Sequence, residues 1–212
     1  MKTMRSAAKP KLPLVFLALL SALLLTGVVS LGAQAGLADR VVRLHVLANS
    51  DSEEDQALKL LVRDQVLSQA EQLLTGTADR AEAEAVLTRA LPELKETAAA
   101  VIAAEGYDYD VEVRLEETAF PTKEYDGFSL PAGEYLALRV LIGEAKGQNW
   151  WCVVFPPLCT AAAEEVPEAA QAAGLSAEQV QLITEENGAY KLKFKAVELW
   201  ERLGSLWDKE KS

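Results

Sequence analysis

Residues 40–67, RVVRLHVLANSDSEEDQALKLLVRDQVL, decide the reading of this chain, because their apolar spacing changes from strand-like to helix-like across one polar turn. Val42, Leu44 and Val46 alternate with Arg43 and His45, the period of two that a half-buried strand requires. On that pattern His45 faces solvent. The turn Asn49-Ser50-Asp51-Ser52 carries short oxygen-bearing side chains able to accept from the free amides of a helix start, and Ser50 and Glu53 have capping-box spacing. A helix is predicted to begin near Ser52. Its apolar face carries Leu58, Leu61, Val62, Val66, Ala70 and Leu73, with Asp55 and Lys59 four apart on the solvent side.

Upstream, the first 35 residues hold Lys2, Arg5, Lys9 and Lys11 and no acid, followed by an apolar run from Leu12 to Leu31. A basic flank before an apolar run is the order of an export signal. Ala33-Gln34-Ala35 offers a small-x-small cleavage site, while the run also has the roughly 20 residues that span a bilayer. Residues 1–35 are thus a signal peptide or an N-terminal membrane anchor, and either way the rest of the chain is exported. The remaining 177 residues carry 17 Lys and Arg against 32 Asp and Glu, a formal charge of −15. Such a surface repels phosphate backbones and anionic headgroups, which excludes nucleic acid as a partner and limits membrane contact to the N-terminal segment.

Downstream, a second helix is expected from Asp79 to Glu105 with Val86, Leu87, Ala90, Leu94, Val101 and Ile102 as its apolar positions, kinked or divided at Pro92. Gly106 ends it. Tyr107, Tyr109, Val111, Val113 and Leu115 then alternate with charged residues as a strand. The segment FPTKEYDGFSLPAG, 120–133, reads as a linker whose aromatics tuck under it or form a docking surface. Tyr135–Ile142 and Trp150–Phe155 read as two strands of an antiparallel hairpin with a long loop. Short surface helices are expected over 160–179, and a terminal helix through Val197, Trp200, Leu203 and Trp207. Val180–Thr184 and Tyr190–Phe194 read as a last hairpin about Asn187-Gly188, or the second as the start of that terminal helix. The whole is an α+β fold: one exported domain, 36–207, with two N-terminal helical segments packed on a mainly antiparallel sheet, a C-terminal helix and a polar tail at 208–212.

Few residues offer chemistry. His45 is the one histidine, and a Cys-His-Asn hydrolase would need Cys152, His45 and Asn49 brought together by a fold that the spacing does not demand. Asp51, Glu53, Glu54 and Asp55 lack the alternating ligands and central Gly of an EF-hand, and carboxylates in a first helical turn are favoured by its dipole. Neither a metal nor a cofactor is expected. Gly143 and Gly147 bracket GEAKG without the Lys-Ser/Thr of a phosphate loop, and turn glycines account for them. Cys152 and Cys159 are the only thiols; outside the reducing cytoplasm they form a disulfide or lie buried as two apolar cysteines. In the tandem Trp150-Trp151, successive strand residues face opposite ways, so one ring lies outside the core.

The wording LHVLANSDSEEDQALKLLVRDQVL, 44–67, resembles the N-terminal signature of the stage II sporulation protein R family, and GEYLALRVLIGEAKGQNWWCVVFPPLC, 133–159, resembles a second block of that family. YKLKFKAVELWERL, 190–203, is a fainter likeness, and the Ala-rich stretch after Cys159 is less typical. The resemblance implies a signalling protein of endospore formation, not an enzyme. It implies export from the forespore into the space between forespore and mother-cell membranes, where such proteins switch on a membrane-embedded aspartic protease that cleaves the mother cell's sigma factor precursor. The alternatives are an exported envelope hydrolase using Cys152 and His45, or a structural envelope protein. The contact surface is expected, from this chain's own pattern, at Asn49, Ser50, Asp51, Gln148, Asn149, Trp150 and Trp151.

Overall fold

The fold was analysed in a computed structural model that describes residues 36–161 and 164–184. The readings for 1–35, for a strand at Tyr190–Phe194, for the terminal helix and for the tail 208–212 lie outside the described residues. Strand β1 (Val42–Leu47) leads through the polar turn into α1 (Glu53–Leu73), and α2 (Arg80–Ala104) follows. Then come β2 (Val111–Phe120), the short pair β3 (Lys123–Tyr125) and β4 (Phe128–Leu130), β5 (Gly133–Ile142) and β6 (Asn149–Phe155). Helices α3 (Val166–Ala172) and α4 (Ala177–Thr184) close the described chain.

The main sheet has the order β2-β5-β1-β6. β1 therefore sits inside it, parallel to β5 and antiparallel to β6, while β2 and β5 are antiparallel. The expected hairpin of the two strands after residue 133 does not form, because β1 lies between them. Both edges of β5 are taken, one by β2 and one by β1. The sheet is mixed by that one parallel pairing and the fold is α+β.

A strand in this position is covered on both faces. Leu44 and Val46 pack with Leu58, Val62 and Leu94 of the α1–α2 layer. On the opposite face the β3–β4 pair, α3 and α4 build a second cluster around Phe120, Leu130, Tyr135 and Val153. Arg43 is 0% exposed and His45 6%. The expectation of a solvent-facing His45 is thus corrected: polarity in alternate positions marked a second covered face, not an open one.

Elsewhere the helices largely follow their apolar spacing, but Leu61, expected on the apolar face of α1, is 43% exposed, turned away from the Leu58–Val62–Val66 side that packs on the sheet. In α2 the buried residues are Ala83, Leu87, Ala90, Leu94, Ala98 and Ile102, and the helix runs undivided through Pro92. That residue is on the exposed side, where the carbonyl its ring leaves unbonded is open to solvent. β2 begins at Val111, later than the alternation suggested, since its first partner Ile142 is the last residue of β5. Tyr107 and Tyr109 instead stack on each other with centroids 5.3 Å apart. In the 120–133 segment the rings go inward: Phe128 is buried and Tyr125 stacks on it at 4.6 Å. Val180–Thr184 is helix, not strand. Ser176 and Gln179 form a reciprocal cap, Gln179 N donating to Ser176 Oγ at 3.2 Å and Ser176 N to Gln179 Oε1 at 2.9 Å, and Val180 and Ile183 share the buried face that follows.

Candidate functional site

The polar turn after β1 and the loop between β5 and β6 fold against each other at one end of the sheet. Ser52 caps α1 by accepting from Asp55 N at 3.1 Å, so the capping residue is Ser52 and not Ser50. Asp55 is turned inward. Its Oδ2 accepts from Ser50 Oγ at 2.6 Å and from Asn49 Nδ2 at 2.8 Å. Lys59 points the same way, its Nζ donating to Gln56 Oε1 at 2.5 Å and to the Gln148 carbonyl at 3.0 Å. Both residues, expected at the solvent side of the helix, are only 4% exposed. The loop from the second block covers that side of the first turns, which an isolated helical pattern does not reveal. Burial opposes the charge on Asp55, but hydrogen bonds from Ser50, Asn49 and Tyr109 outweigh it and hold the carboxyl below the ordinary range. Burial first, and then the nearby Arg63, lowers the Lys59 ammonium.

The loop is held as tightly from its own side. Asn49 uses both ends of its amide, its Oδ1 accepting from Glu144 N at 3.0 Å. Gly147 N donates to the Ala48 carbonyl at 2.9 Å, Lys146 N to the Asn49 carbonyl at 3.2 Å, and Gln148 N to Asp51 Oδ1 at 2.7 Å. Gly143 has φ +56°, and a Cβ there would stand 2.3 Å from Asn49 Oδ1. The glycines of GEAKG thus exist for close approach of two segments distant in sequence, beyond the turn of their own loop. Of the expected contact residues, Asp51, Gln148, Asn149 and Trp150 are exposed, while Asn49 and Ser50 are half-buried and engaged internally.

β6 presents its two tryptophans to opposite sides. Trp150, 37% exposed, lies under the Arg63 guanidinium of α1 at 4.2 Å from the ring centroid. Trp151 is half-buried on the other face, stacked with His45 at 5.9 Å and capped by Lys123 Nζ at 4.0 Å. His45 Nε2 donates to Asn149 Oδ1 at 2.6 Å. Beside it, Arg43 lies over Phe120 at 4.0 Å and Tyr135 at 4.9 Å, donating through Nη2 to Tyr125 Oη at 2.7 Å. Burial lowers the basicity of this guanidinium against the pull of the two tyrosines.

These faces also decide the hydrolase geometry. Cys152 stands opposite Leu44 in the register and belongs to the helix-side core, whereas His45 stands opposite Trp151 and faces the second layer. Cys152 is bonded to Cys159 with Cα atoms 6.0 Å apart, and Asn49 is engaged by Asp55 and Glu144. The two blocks do fold side by side, yet they leave Cys152, His45 and Asn49 without a common centre. Sequence reasoning missed Asp55, Lys59 and Arg43. The signal for the first was the run Asn49-Ser50 followed by a carboxylate at a helix start, and for Arg43 the aromatics of 120–135 that enclose it.

Comparison with known proteins bears on the same region. The sequence profile of stage II sporulation protein R matches residues 38–165, which include both segments of the docked pair. Stage II sporulation protein R of Bacillus subtilis (strain 168) is 41% identical over 121 residues, 57% of this chain and 54% of that protein. The chain thus spans about half the length of this curated relative. No solved structure matches. With a profile match over more than half its length, and a role in sporulation as the family's printed name states, the chain belongs to the stage II sporulation protein R family.

Proposed function

We propose that this chain is an intercompartmental signal of endospore formation, exported from the forespore to the space between the two membranes, where it activates a membrane-embedded aspartic protease that matures the mother cell's sigma factor precursor. The observation that carries this reading is the family match across 38–165, the stretch whose two blocks build one rigid, hydrogen-bonded rim. Its exposed members Asp51, Gln148, Asn149 and Trp150, with the half-buried Asn49, Ser50 and Trp151, form the contact surface in this reading. An aromatic anchor ringed by polar groups suits recognition of a protein partner. Activation then means binding one state of the protease better than another, and the population moves by no more than that difference.

The test is cleavage of the precursor by the protease with and without this chain. Cleavage that requires the chain supports the proposal, and equal cleavage without it removes the proposal in favour of a structural envelope role. An envelope hydrolase predicts turnover of peptidoglycan by the purified chain, lost in a His45→Ala variant that still folds. The divergence of His45 and Cys152 to opposite faces of the sheet favours the signalling reading over that one.

A further inference from the structure

His45 is held by one bond and enclosed by cations. Its Nε2–H is satisfied by Asn149 Oδ1 at 2.6 Å, while Nδ1 is buried with no hydrogen-bond partner among the described residues. The ring is packed against Trp151 of β6 and edge-on to Phe120 of β2, with centroids 5.9 and 5.8 Å away. The charges that bear on it are those of Arg139 and Arg43. Arg43 lies two residues along β1, Arg139 is its register partner on β5, and Lys123 of β3 covers the far side of the neighbouring Trp151. Glu116 of β2 is paired with Arg139 at 2.5 Å, and the Tyr125 hydroxyl is taken by Arg43. A neutral imidazole fits this place. An imidazolium needs an acceptor at Nδ1 as well, and none stands there among the described residues.

We propose that His45 is an acid-released latch: the neutral ring, seated against Trp151 and Phe120 and bonded to Asn149, holds the end of β6 in position. A proton on Nδ1 keeps the Nε2–H bond but puts a buried charge where Nδ1 has no acceptor, which expels the ring and loosens the end of β6 and the β3 cover above it. Asn149 and Trp151 both belong to the proposed contact surface, so the latch would make its shape depend on pH. That consequence rests on the proposed function; the latch itself does not.

Burial, and then the neighbouring arginines, depress the imidazole below its ordinary 6.5 despite the bond to Asn149. The sign follows. Above pH 6.5 the group is neutral folded or unfolded and the latch is intact; as pH falls below that value the unfolded chain takes the proton more readily and stability is lost.

The chain has a single histidine, so the group is directly observable. In the full chain in detergent micelles, the imidazole Cε1–H resonance is followed by NMR from pH 8 to 4.5 together with the indole N–H of Trp151 and the amide of Asn149. The expected result is a midpoint below the free-imidazole value, with the Trp151 and Asn149 signals moving at the same midpoint. A midpoint at or above the free value, or Trp151 and Asn149 signals unmoved through the titration, would overturn the latch. His45→Gln keeps a donor for Asn149 and cannot take up a proton in this range. The melting temperature should therefore fall several degrees further in the wild type than in this variant between pH 7.5 and 5, and equal falls count against the latch. Precursor cleavage insensitive to Trp150→Ala, beside a His45 that titrates as stated, would retain the latch and remove the contact reading instead.

Discussion

Gly147 stands against Ser50 with no room for a side chain: a Cβ on it would lie 2.1 Å from the Ser50 carbonyl oxygen and 2.6 Å from the carbonyl carbon. The obstacle is backbone, which cannot swing aside as a side chain can. Gly147→Ala must push the loop off the turn and weaken the bonds from Gly147 N to Ala48 and from Gln148 N to Asp51. The expected cost is about 2–3 kcal/mol in urea unfolding, in the range of overpacked interiors. Unchanged stability would mean that the two blocks are not held in register by this contact.

Asp55 makes a second prediction on the same turn. Asp55→Ala removes the acceptor for Ser50 and Asn49 and should destabilise the chain by about 2–3 kcal/mol. Its carboxyl is held below the ordinary 3.8, so its contribution is present above that pH and disappears as pH falls through the lower folded value. Acid unfolding below pH 3.8 should accordingly be shallower in Asp55→Asn than in the wild type. Parallel acid curves for the two would show that the carboxylate is not the group being titrated.

Arg43 fills a space walled by Phe120, Tyr135 and Tyr125 without a carboxylate partner among the described residues. Its volume then matters more than its charge. Arg43→Ala should cost about 3 kcal/mol through the cavity it leaves, whereas Arg43→Met keeps the stem, drops a desolvated charge and should stay within about 1 kcal/mol of the wild type. Thermal melts of the two variants side by side decide this. Equal losses would assign the stabilisation to the guanidinium on its ring neighbours.

Much of the helical layer is legible from periodicity, because one face of α1 and of α2 packs on one sheet face: Leu58, Val62, Val66, Leu87, Leu94 and Ile102 are buried as the spacing requires. The sheet order was not legible. Parallel pairing of β1 with β5 joins residues such as Leu44 and Leu138, ninety-odd positions apart, and leaves no local pattern. The same blindness hid His45 and Arg43, since burying their side of β1 depends on Phe120, Phe128 and Leu130 folding back over it. At the candidate site the residue types at the turn are readable, but their roles are not: helical spacing places Asp55 at solvent, and the glycines of GEAKG read as local turn formers. Helix α4 is not legible although Ser176 and Gln179 carry a capping pair, because Asn187-Gly188 reads as a hairpin turn between two apolar runs.

The two tryptophans of β6 separate stability from contact. Trp151 stacks on His45 and under Lys123, so Trp151→Ala removes packing as well as exterior and should cost about 2–3 kcal/mol. Trp150 packs under Arg63 and, with Leu60 and Leu61 of α1, is one of the exposed large hydrophobic residues among those described. Trp150→Ala should therefore lower stability by only about 1 kcal/mol. If Trp150 anchors the protease, precursor cleavage in a reconstituted system should fall at least tenfold in this variant while its melting curve stays close to the wild type, since truncating a central aromatic in an interface costs ~2 kcal/mol or more of binding. Asp51→Ala distinguishes rim from anchor. It loses one bond to Gln148 N and should reduce cleavage less than Trp150→Ala. Full cleavage by both variants would remove this end of the sheet as the contact face, and the β3–β4 side, with Lys123 and Asn149 exposed to different degrees on it, would be the next surface to substitute.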